Sequence, residues 1–155
     1  MSINLNLNDL GTLVAVVVGT AGLVLGVLNF LRDRPKVVVE LQWDTTAMNL
    51  PDYDPDKFWG VIRVTNTGRR PIFISHVAIK LPKKYEDTHL LIMEGLQGTT
   101  LEEGAPPLVF PVDQDGLEKY AKGWKKLRAQ VSDSTGKVWF SPRVWNGQKP
   151  SWAKQ

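Results

Sequence analysis

The sequence predicts a mainly β fold: a single N-terminal transmembrane helix, then an antiparallel, immunoglobulin-like β-sandwich of about seven strands with one short helix. Three observations predict it. Residues 10–31 contain no charged residue. The rest of the chain alternates apolar and polar residues over short stretches. Clusters of Gly, Pro, Asn and Asp separate these stretches, as turns separate the strands of a sandwich.

The segment 10–31 has the length and composition of a membrane span. Its 22 residues would form a helix about 33 Å long, against a bilayer core of about 30 Å. A cleaved signal peptide is the alternative interpretation. Residues 1–9 lack the basic residues of such a peptide, however, and the apolar run is longer than its core. We therefore expect an uncleaved anchor and contact with membrane lipid.

The charges that flank this segment predict its orientation. Arg32, Arg34 and Lys36 follow the segment directly, whereas residues 1–9 contain no Lys or Arg. Basic flanks of membrane helices stay on the cytoplasmic side. We therefore expect a single-pass protein of the inner (plasma) membrane, with its N-terminus outside and its C-terminal domain in the cytoplasm.

Small residues recur along one face of the predicted helix. Their spacings of 4, 4, 3 and 4 residues place them on a common stripe: Gly11, Ala15, Gly19, Gly22 and Gly26. Helices in lipid pack closely where small residues face each other, so the stripe predicts a homo-oligomer that associates through the helix. The alternative is that glycine is simply common in membrane helices.

Composition sets the limits of the domains. Residues after 31 carry all 19 Lys and Arg and 15 of the 16 acids, so their net charge is only +4. Such a mild charge does not predict binding of duplex nucleic acid, but it suits an anionic membrane surface. The predicted parts are a short extracytoplasmic tail (1–9), the transmembrane helix (10–31), a basic juxtamembrane linker (32–36), the sandwich (37–144) and a flexible tail (145–155).

Alternating apolar residues predict the individual strands. They cover residues 36–43, 58–67, 71–81, 89–93, 99–103, 108–112, 124–132 and 137–144. Within 71–81 the odd-numbered residues Phe73, Val77 and Ile79 are expected to face the core. Acids followed by lysines predict a short helix over 113–122, since that order complements the helix dipole.

Two turn sequences resemble those of a known group of proteins. Residues 64–72 read V-T-N-T-G-R-R-P-I, and residues 133–137 read D-S-T-G-K. Both resemble hairpins of small bacterial and phage proteins that have one N-terminal membrane anchor and a cytoplasmic immunoglobulin-like β-sandwich. The resemblance implies the fold and implies no activity.

Basic residues are the main candidates for a ligand site. Arg69 and Arg70 lie on a predicted turn, Lys80 lies near a strand end, and a basic run without acids covers 119–128. The candidates for binding an anion are Arg69, Arg70, Lys83, Lys84, Lys122, Lys125, Lys126 and Arg128. Arginine suits phosphate because its guanidinium can donate two parallel hydrogen bonds. The alternative is a solvated face or contact with lipid headgroups.

Catalytic and metal motifs are weak in this sequence. Asp52, Asp54 and Asp56 alternate as in a calcium loop, but Lys57 and Arg63 occupy the positions where that loop needs glycine and an acid. A hydrolase triad can be drawn from Ser75 or Ser134, a histidine (His76 or His89) and Asp133, without a nucleophile elbow around either serine. We therefore predict no enzyme, cofactor or metal, with a hydrolase as the weaker alternative.

Two functions remain as hypotheses. The first is a membrane-anchored cytoplasmic interaction module that binds a protein partner and self-associates through its helix. The alternative is a ligand-gated membrane effector that senses a cyclic oligonucleotide or another phosphate-bearing signal and perturbs the membrane. This layout resembles small effectors of bacterial anti-phage defence, including those associated with type III CRISPR systems.

Overall fold

The computed structural model describes residues 7–47, 53–92, 98–144 and 147–154, with side chains from residue 10 onward. The chain divides into two compact units, of which the first ends at Arg34 and the second begins at Pro35. The first contains one helix, α1 (Leu7–Arg32). The described part of the second contains β1 (Val37–Thr46), β2 (Phe58–Asn66), β3 (Ile72–Lys80), β4 (His89–Leu91), β5 (Thr99–Leu101), β6 (Leu108–Asp113), β7 (Arg128–Asp133), β8 (Val138–Phe140) and 3₁₀ helices at Glu118–Lys126 and Ser151–Ala153.

Among the described residues, helix α1 is the one candidate for a membrane span, as predicted. Its segment Leu10–Arg32 has a mean hydropathy of 2.3 and is long and apolar enough to cross a bilayer. The helix as described begins at Leu7, three residues before the predicted start, and includes the polar residues Asn8 and Asp9.

The eight strands form two antiparallel sheets, as predicted. One sheet has the order β1-β2-β6 and the other the order β4-β3-β7-β8. The short strand β5 pairs with the start of β3, on the edge whose other end pairs with β4. Strand β8 lies at an edge of its sheet, which agrees with the presence of Pro142 just after it.

Apolar residues from both sheets share one core. Ile62 and Val64 of β2, together with Ala129 and Val131 of β7, are fully buried, as the alternation predicted. Each fully buried Val or Ile side chain stabilises the fold by roughly 1.5–3 kcal/mol. The two sheets therefore hold together through this shared apolar layer.

A bulge in β3 corrects the predicted face of that strand. The register against β7 shifts between Ile74 and His76, so the inward phase changes there. Ile74 and Val77 are both buried, whereas Phe73 is 47% exposed. A strict two-residue period placed Phe73 in the core, and the extra residue of the bulge turns it outward.

Strand β1 is longer than predicted. It continues to Thr46, although residues from 44 onward were expected to form a loop. Its register against β2 shifts between Gln42 and Thr45, and Asp44 has a φ of 56°. This bulge lets the strand pass a residue in a left-handed conformation and resume pairing with Trp59.

The helix predicted over 113–122 lies further along the chain. Asp113 Oδ1 accepts the N–H of Asp115 at 2.8 Å, and Gly116 has a φ of 80°, so these residues form a turn. The 3₁₀ helix begins only at Glu118 and continues to Lys126. Trp124, predicted to begin a strand, is buried from this helix, and the strand begins at Arg128.

The C-terminal segment corrects the prediction of a flexible tail over 145–155, for its described part. Trp152 is buried, and its ring meets that of Trp43 edge to face, with centroids 5.4 Å apart. The Asp44 carboxylate accepts the Ser151 N–H at 2.9 Å and the Ser151 hydroxyl at 2.6 Å. The segment looks polar in sequence, but one tryptophan and one serine attach it to the sandwich.

Strand β8 is shorter than the predicted 137–144. It ends at Phe140. At the next residue the Ser141 N–H donates to the Ala129 carbonyl at 2.9 Å, but the Ala129 N–H donates to the Ser141 side chain (Oγ, 2.9 Å) rather than to its carbonyl. Pro142 then has no N–H to donate.

The turn before β8 confirms the predicted hairpin. Asp133 Oδ1 accepts the backbone N–H groups of Thr135 and Lys137 at 2.9 and 2.8 Å, and Gly136 has a φ of 84°. Burial raises the pKa of Asp133, but hydrogen bonds from Thr135 and Lys137 outweigh burial and hold that pKa below its usual value.

The side chain of Asn66 holds the turn between β2 and β3. The Asn66 side-chain amide donates to the carbonyl of Arg70 at 2.8 Å and to that of Leu101 at 3.0 Å, while its oxygen accepts the Gly68 N–H at 2.9 Å. Gly68 does not have a positive φ, so the side chain of Asn66 and not a left-handed glycine fixes this turn.

Candidate anion-binding site

A basic cavity of about 520 Å³ lies where β3 and β8 end and β7 begins, near the end of the 3₁₀ helix Glu118–Lys126. Six of its lining residues carry a positive charge, and none carries a negative charge. The lining residues are Lys80, Leu81, Pro82, Lys83, Lys84, Lys126, Arg128, Phe140 and Arg143. Its size lies within the range of about 300–1,000 Å³ that small-molecule sites usually have.

Sheet register brings the first two cations together. Lys80 on β3 lies directly opposite Arg128 on β7. Side chains in this relation are about 4.5–5.5 Å apart at Cβ, and like charges placed there destabilise a sheet. The fold therefore holds two cations against their mutual repulsion at one end of the cavity.

Phe140 and the backbone after it position these two side chains. Lys80 Nζ lies 5.0 Å and Arg128 Cζ 4.8 Å from the centroid of the Phe140 ring. Arg128 Nε donates to the Ser141 carbonyl at 2.7 Å. This hydrogen bond uses Nε and holds the guanidinium in place. The two terminal nitrogens do not take part in it, so they can donate two parallel hydrogen bonds to one anion.

A turn after β3 supplies the next two cations. Lys83 and Lys84 follow Pro82, whose carbonyl accepts the Tyr85 N–H at 3.2 Å. Lys84 Nζ lies 4.7 Å from the centroid of the Tyr85 ring, and the Tyr85 hydroxyl donates to the Tyr120 carbonyl at 3.1 Å. The turn is therefore fastened to the 3₁₀ helix, which contributes Lys126 at its end.

The charges of this cavity are not balanced by acids. Among the described residues, ion pairs join Lys57 to Asp113 and Asp115, Arg63 to Glu40, and Lys119 to Asp87. No cation of the cavity takes part in these pairs. An uncompensated group of positive charges attracts anions from solution.

A larger cavity, of about 590 Å³, differs because acids accompany its positive charge. Its one lining cation, Lys119, lies 3.5 Å from the Asp87 carboxylate, and Asp113 and Asp115 also line it. The hydrogen bond from the Tyr120 hydroxyl, followed by the charge of Lys119, lowers the pKa of Asp87 below its usual value. Charges near this cavity are paired, so it is a poorer candidate for an anion.

The structure brings together four of the eight predicted anion-binding residues: Lys83, Lys84, Lys126 and Arg128. Arg69 and Arg70 precede β3, at the opposite end from Lys80, and nine strand residues span roughly 30 Å. Lys122 and Lys125 belong to the 3₁₀ helix but do not line the cavity, and Lys125 Nζ lies 5.7 Å from the centroid of the Trp124 ring.

No family model matches the chain, and no curated protein is significantly similar to it.

Phe140 and Arg143 are members of the cavity that the sequence did not indicate. The hairpin turn at 133–136 sets the register in which Gln130 lies opposite Phe140. That register places residues just after Phe140 beside the start of β7, where Arg128 lies. Pairing residues of β7 and β8 outward from this turn could therefore have indicated that Phe140 and Arg143 lie near Arg128.

The described residues do not form the catalytic and metal arrangements considered above. Ser75 Oγ donates to the carbonyls of Ser132 and Asp133 at 3.0 and 3.1 Å, and it lies 3.3 Å from His76 Nδ1. The Asp133 carboxylate is used by the hairpin turn, so it does not orient a histidine.

The aspartates near residue 54 also belong to a turn. Asp54 Oδ1 accepts the Asp56 N–H at 2.9 Å, and Asp52 lies outside the described residues. Within the part of the chain that the structure describes, no group of three or more His, Cys, Asp or Glu could hold a metal ion.

The small-residue stripe of α1 has open space around it. A Cβ added at Gly11, Gly19, Gly22 or Gly26 would meet nothing within 4 Å, and Ala15 is exposed.

Two of the basic residues that predict the orientation lie at the end of α1. Arg32 ends the helix, and Arg34 lies over the ring of Phe30, with 5.2 Å between Cζ and the centroid.

Proposed function

We propose that this protein is a membrane-anchored binding module whose β domain binds a phosphate-bearing anion. The observation that carries the proposal is the direct opposition of Lys80 and Arg128 within a cavity that four further cations line and no acid lines. A fold that keeps such a pair without a compensating acid gains stability when an anion bridges the pair. Helix α1 supplies the proposed anchor.

Calorimetric titration of the full chain in detergent with tripolyphosphate tests the site. We expect binding by the unmodified protein and a loss of about tenfold or more in affinity for Arg128→Ala, because a positioned guanidinium is removed. The matched control is the double variant Lys122→Ala with Lys125→Ala, which removes two charges of the same basic run outside the cavity. No binding by the unmodified protein, or an equal loss in the control, would contradict the proposed site.

The proposed orientation places the N-terminus outside and the β domain in the cytoplasm. Support comes from Arg32, Arg34 and Lys36 beside the helix. Because the chain has no cysteine, single variants such as Ser2→Cys and Lys154→Cys can be labelled separately with a membrane-impermeant maleimide. Labelling of Ser2→Cys but not Lys154→Cys in intact spheroplasts is expected, and the reverse pattern would overturn the orientation.

The immunoglobulin-like classification of the sandwich is also a proposal. The orders β1-β2-β6 and β3-β7-β8 correspond to strands A-B-E and C-F-G of that fold, with β4 beside the C position. Cross-strand nuclear Overhauser effects between β2 and β6, and between β7 and β8, test this order. Contacts that instead join β6 to β7 as ladder neighbours would contradict it.

A ligand-gated membrane effector of bacterial anti-phage defence is the second candidate function. It is favoured by the open small-residue stripe of α1, which allows helices to pack, together with an anion cavity that could receive a phosphate-bearing signal such as a cyclic oligonucleotide. Membrane potential in cells that over-produce the protein is the test. We expect cells that over-produce the unmodified protein to lose membrane potential when a cyclic oligonucleotide signal is present, and cells with the Arg128→Ala variant to keep it. An unchanged potential with the unmodified protein contradicts this function.

A further inference from the structure

We infer that the ligand of the basic cavity carries at least two phosphate groups close together, as in a diphosphate, a triphosphate or a bisphosphorylated headgroup. This inference rests on the proposed function and narrows its ligand class. It depends on the number of cations, on their division into two groups, and on the size of the cavity.

The number of cations exceeds what one phosphate can neutralise. Six positive side chains line the cavity, and none of them takes part in the ion pairs found among the described residues. A single phosphate monoester carries a charge of about −1.5 to −2 at pH 7 and would leave most of that charge unbalanced. Two or three linked phosphate groups match it more closely.

Four of the six cations also fall into two structural groups. Lys80 and Arg128 form the sheet group, positioned by Phe140 and by the Ser141 carbonyl. Lys83 and Lys84 belong to a turn that the Tyr85 hydroxyl fastens to the 3₁₀ helix. Two oriented groups on separate elements suit a ligand with two anionic centres, one for each group.

The volume of about 520 Å³ agrees with this class of ligand. Cavities of this size accommodate small organic molecules, and a lone phosphate would leave most of the space to water. Phe140 occupies the sheet side of the cavity and supplies an apolar contact beside the cations. A phosphorylated organic molecule fits the cavity better than an inorganic ion.

A series of titrations at constant ionic strength tests the inference. The probes are inorganic phosphate, pyrophosphate and tripolyphosphate, added to the full chain in detergent. We expect affinity to rise by about tenfold or more from phosphate to pyrophosphate, since the second anionic centre reaches the turn group. The double variant Lys83→Ala with Lys84→Ala should reduce the affinity for pyrophosphate by a larger factor than the affinity for phosphate, so that the gain is lost. Lys149→Gln, an exposed lysine outside the cavity, is the control.

The outcomes separate the inference from the proposed function. Equal affinities for phosphate and tripolyphosphate would overturn the inference and leave an anion site in place. Absence of binding for all three probes would overturn both. A gain that survives in the Lys83 and Lys84 double variant would also contradict the two-group arrangement.

A second pair of measurements identifies the source of the phosphates. One uses adenosine triphosphate in solution, and the other uses phosphatidylcholine vesicles that contain a bisphosphorylated inositol lipid, with phosphatidylserine vesicles as the control. Binding of adenosine triphosphate supports the inference. Stronger binding to the vesicles with the bisphosphorylated inositol lipid than to the phosphatidylserine vesicles supports it as well. Binding that depends only on the total negative charge of the vesicles, with no binding of adenosine triphosphate, contradicts it.

Discussion

Lys80 and Arg128 lie directly opposite each other in the β3–β7 ladder, and both approach the ring of Phe140. Their ammonium and guanidinium groups thus share one aromatic contact while their charges repel each other. Exposed like charges in this relation cost roughly 0.2–1 kcal/mol, a cost that an anion between them removes. The pair therefore links the stability of the sheet to occupation of the cavity.

Removal of one charge of this pair should stabilise the unliganded protein. We expect Lys80→Gln to raise the melting temperature by roughly 1–4 °C at low ionic strength without phosphate, because the cross-strand repulsion disappears. The same variant should lose much of the stabilisation that tripolyphosphate gives to the unmodified protein. Thermal unfolding followed by circular dichroism measures both effects. A lower melting temperature without phosphate would contradict this reading of the pair.

Trp152 should be a principal anchor of the C-terminal segment. Its buried ring meets Trp43 edge to face, so Trp152→Ala is expected to reduce the free energy of unfolding by about 3–5 kcal/mol. Trp152→Phe should cost much less, because the indole N–H has no hydrogen-bond partner among the described residues. Urea denaturation measures these values, with the exposed Lys154→Ala as control. Equal effects of the Ala variants of Trp152 and Lys154 would show a segment that is not docked.

Asp133 should make the stability of the β7–β8 hairpin depend on pH. Its pKa is lower in the folded protein than in the unfolded chain, whose value is about 3.9, so its contribution is fully present above pH 5 or so and is lost as the pH falls through the folded pKa. We expect Asp133→Ala to cost about 2 kcal/mol at pH 7 and less near pH 2, because the contribution of the carboxylate charge falls as the group is protonated. Urea denaturation at the two pH values tests this. A cost that is independent of pH would show that the charge of Asp133 is irrelevant.

The small-residue stripe should control association of α1. If α1 self-associates as predicted, replacement of Gly19 and Gly22 by Leu is expected to dissociate that homo-oligomer, since the added side chains prevent close approach of two helices. Each substitution places its Cβ in open space, so the isolated helix itself should tolerate the change. Crosslinking in lipid vesicles measures the oligomer, with Val17→Leu plus Val24→Leu as the matched control. An oligomer that survives the glycine replacements would exclude this face as the interface.

The sequence predicted much of this fold because two of its signals are local. An uncharged run of 22 residues indicates a helix of spanning length, and strict alternation indicates half-buried strands. These signals located α1, most strand positions and the inward residues Ile62 and Val131. They failed at Phe73, where the extra residue of a bulge reverses which side chains face the core. They also failed at Ser141, where a side-chain oxygen instead of a backbone carbonyl accepts the Ala129 N–H.

By itself, the sequence determined the candidate membrane span, the antiparallel strands and the basic character of residues after 31. Only the tertiary structure decided which cations meet. Arg69 and Arg70 precede β3, at the end far from Lys80, while Lys80, Arg128 and Arg143 line one cavity with Phe140. The physical reason is that strand register and hairpin geometry, which join residues distant in sequence, determine which charges share one cavity.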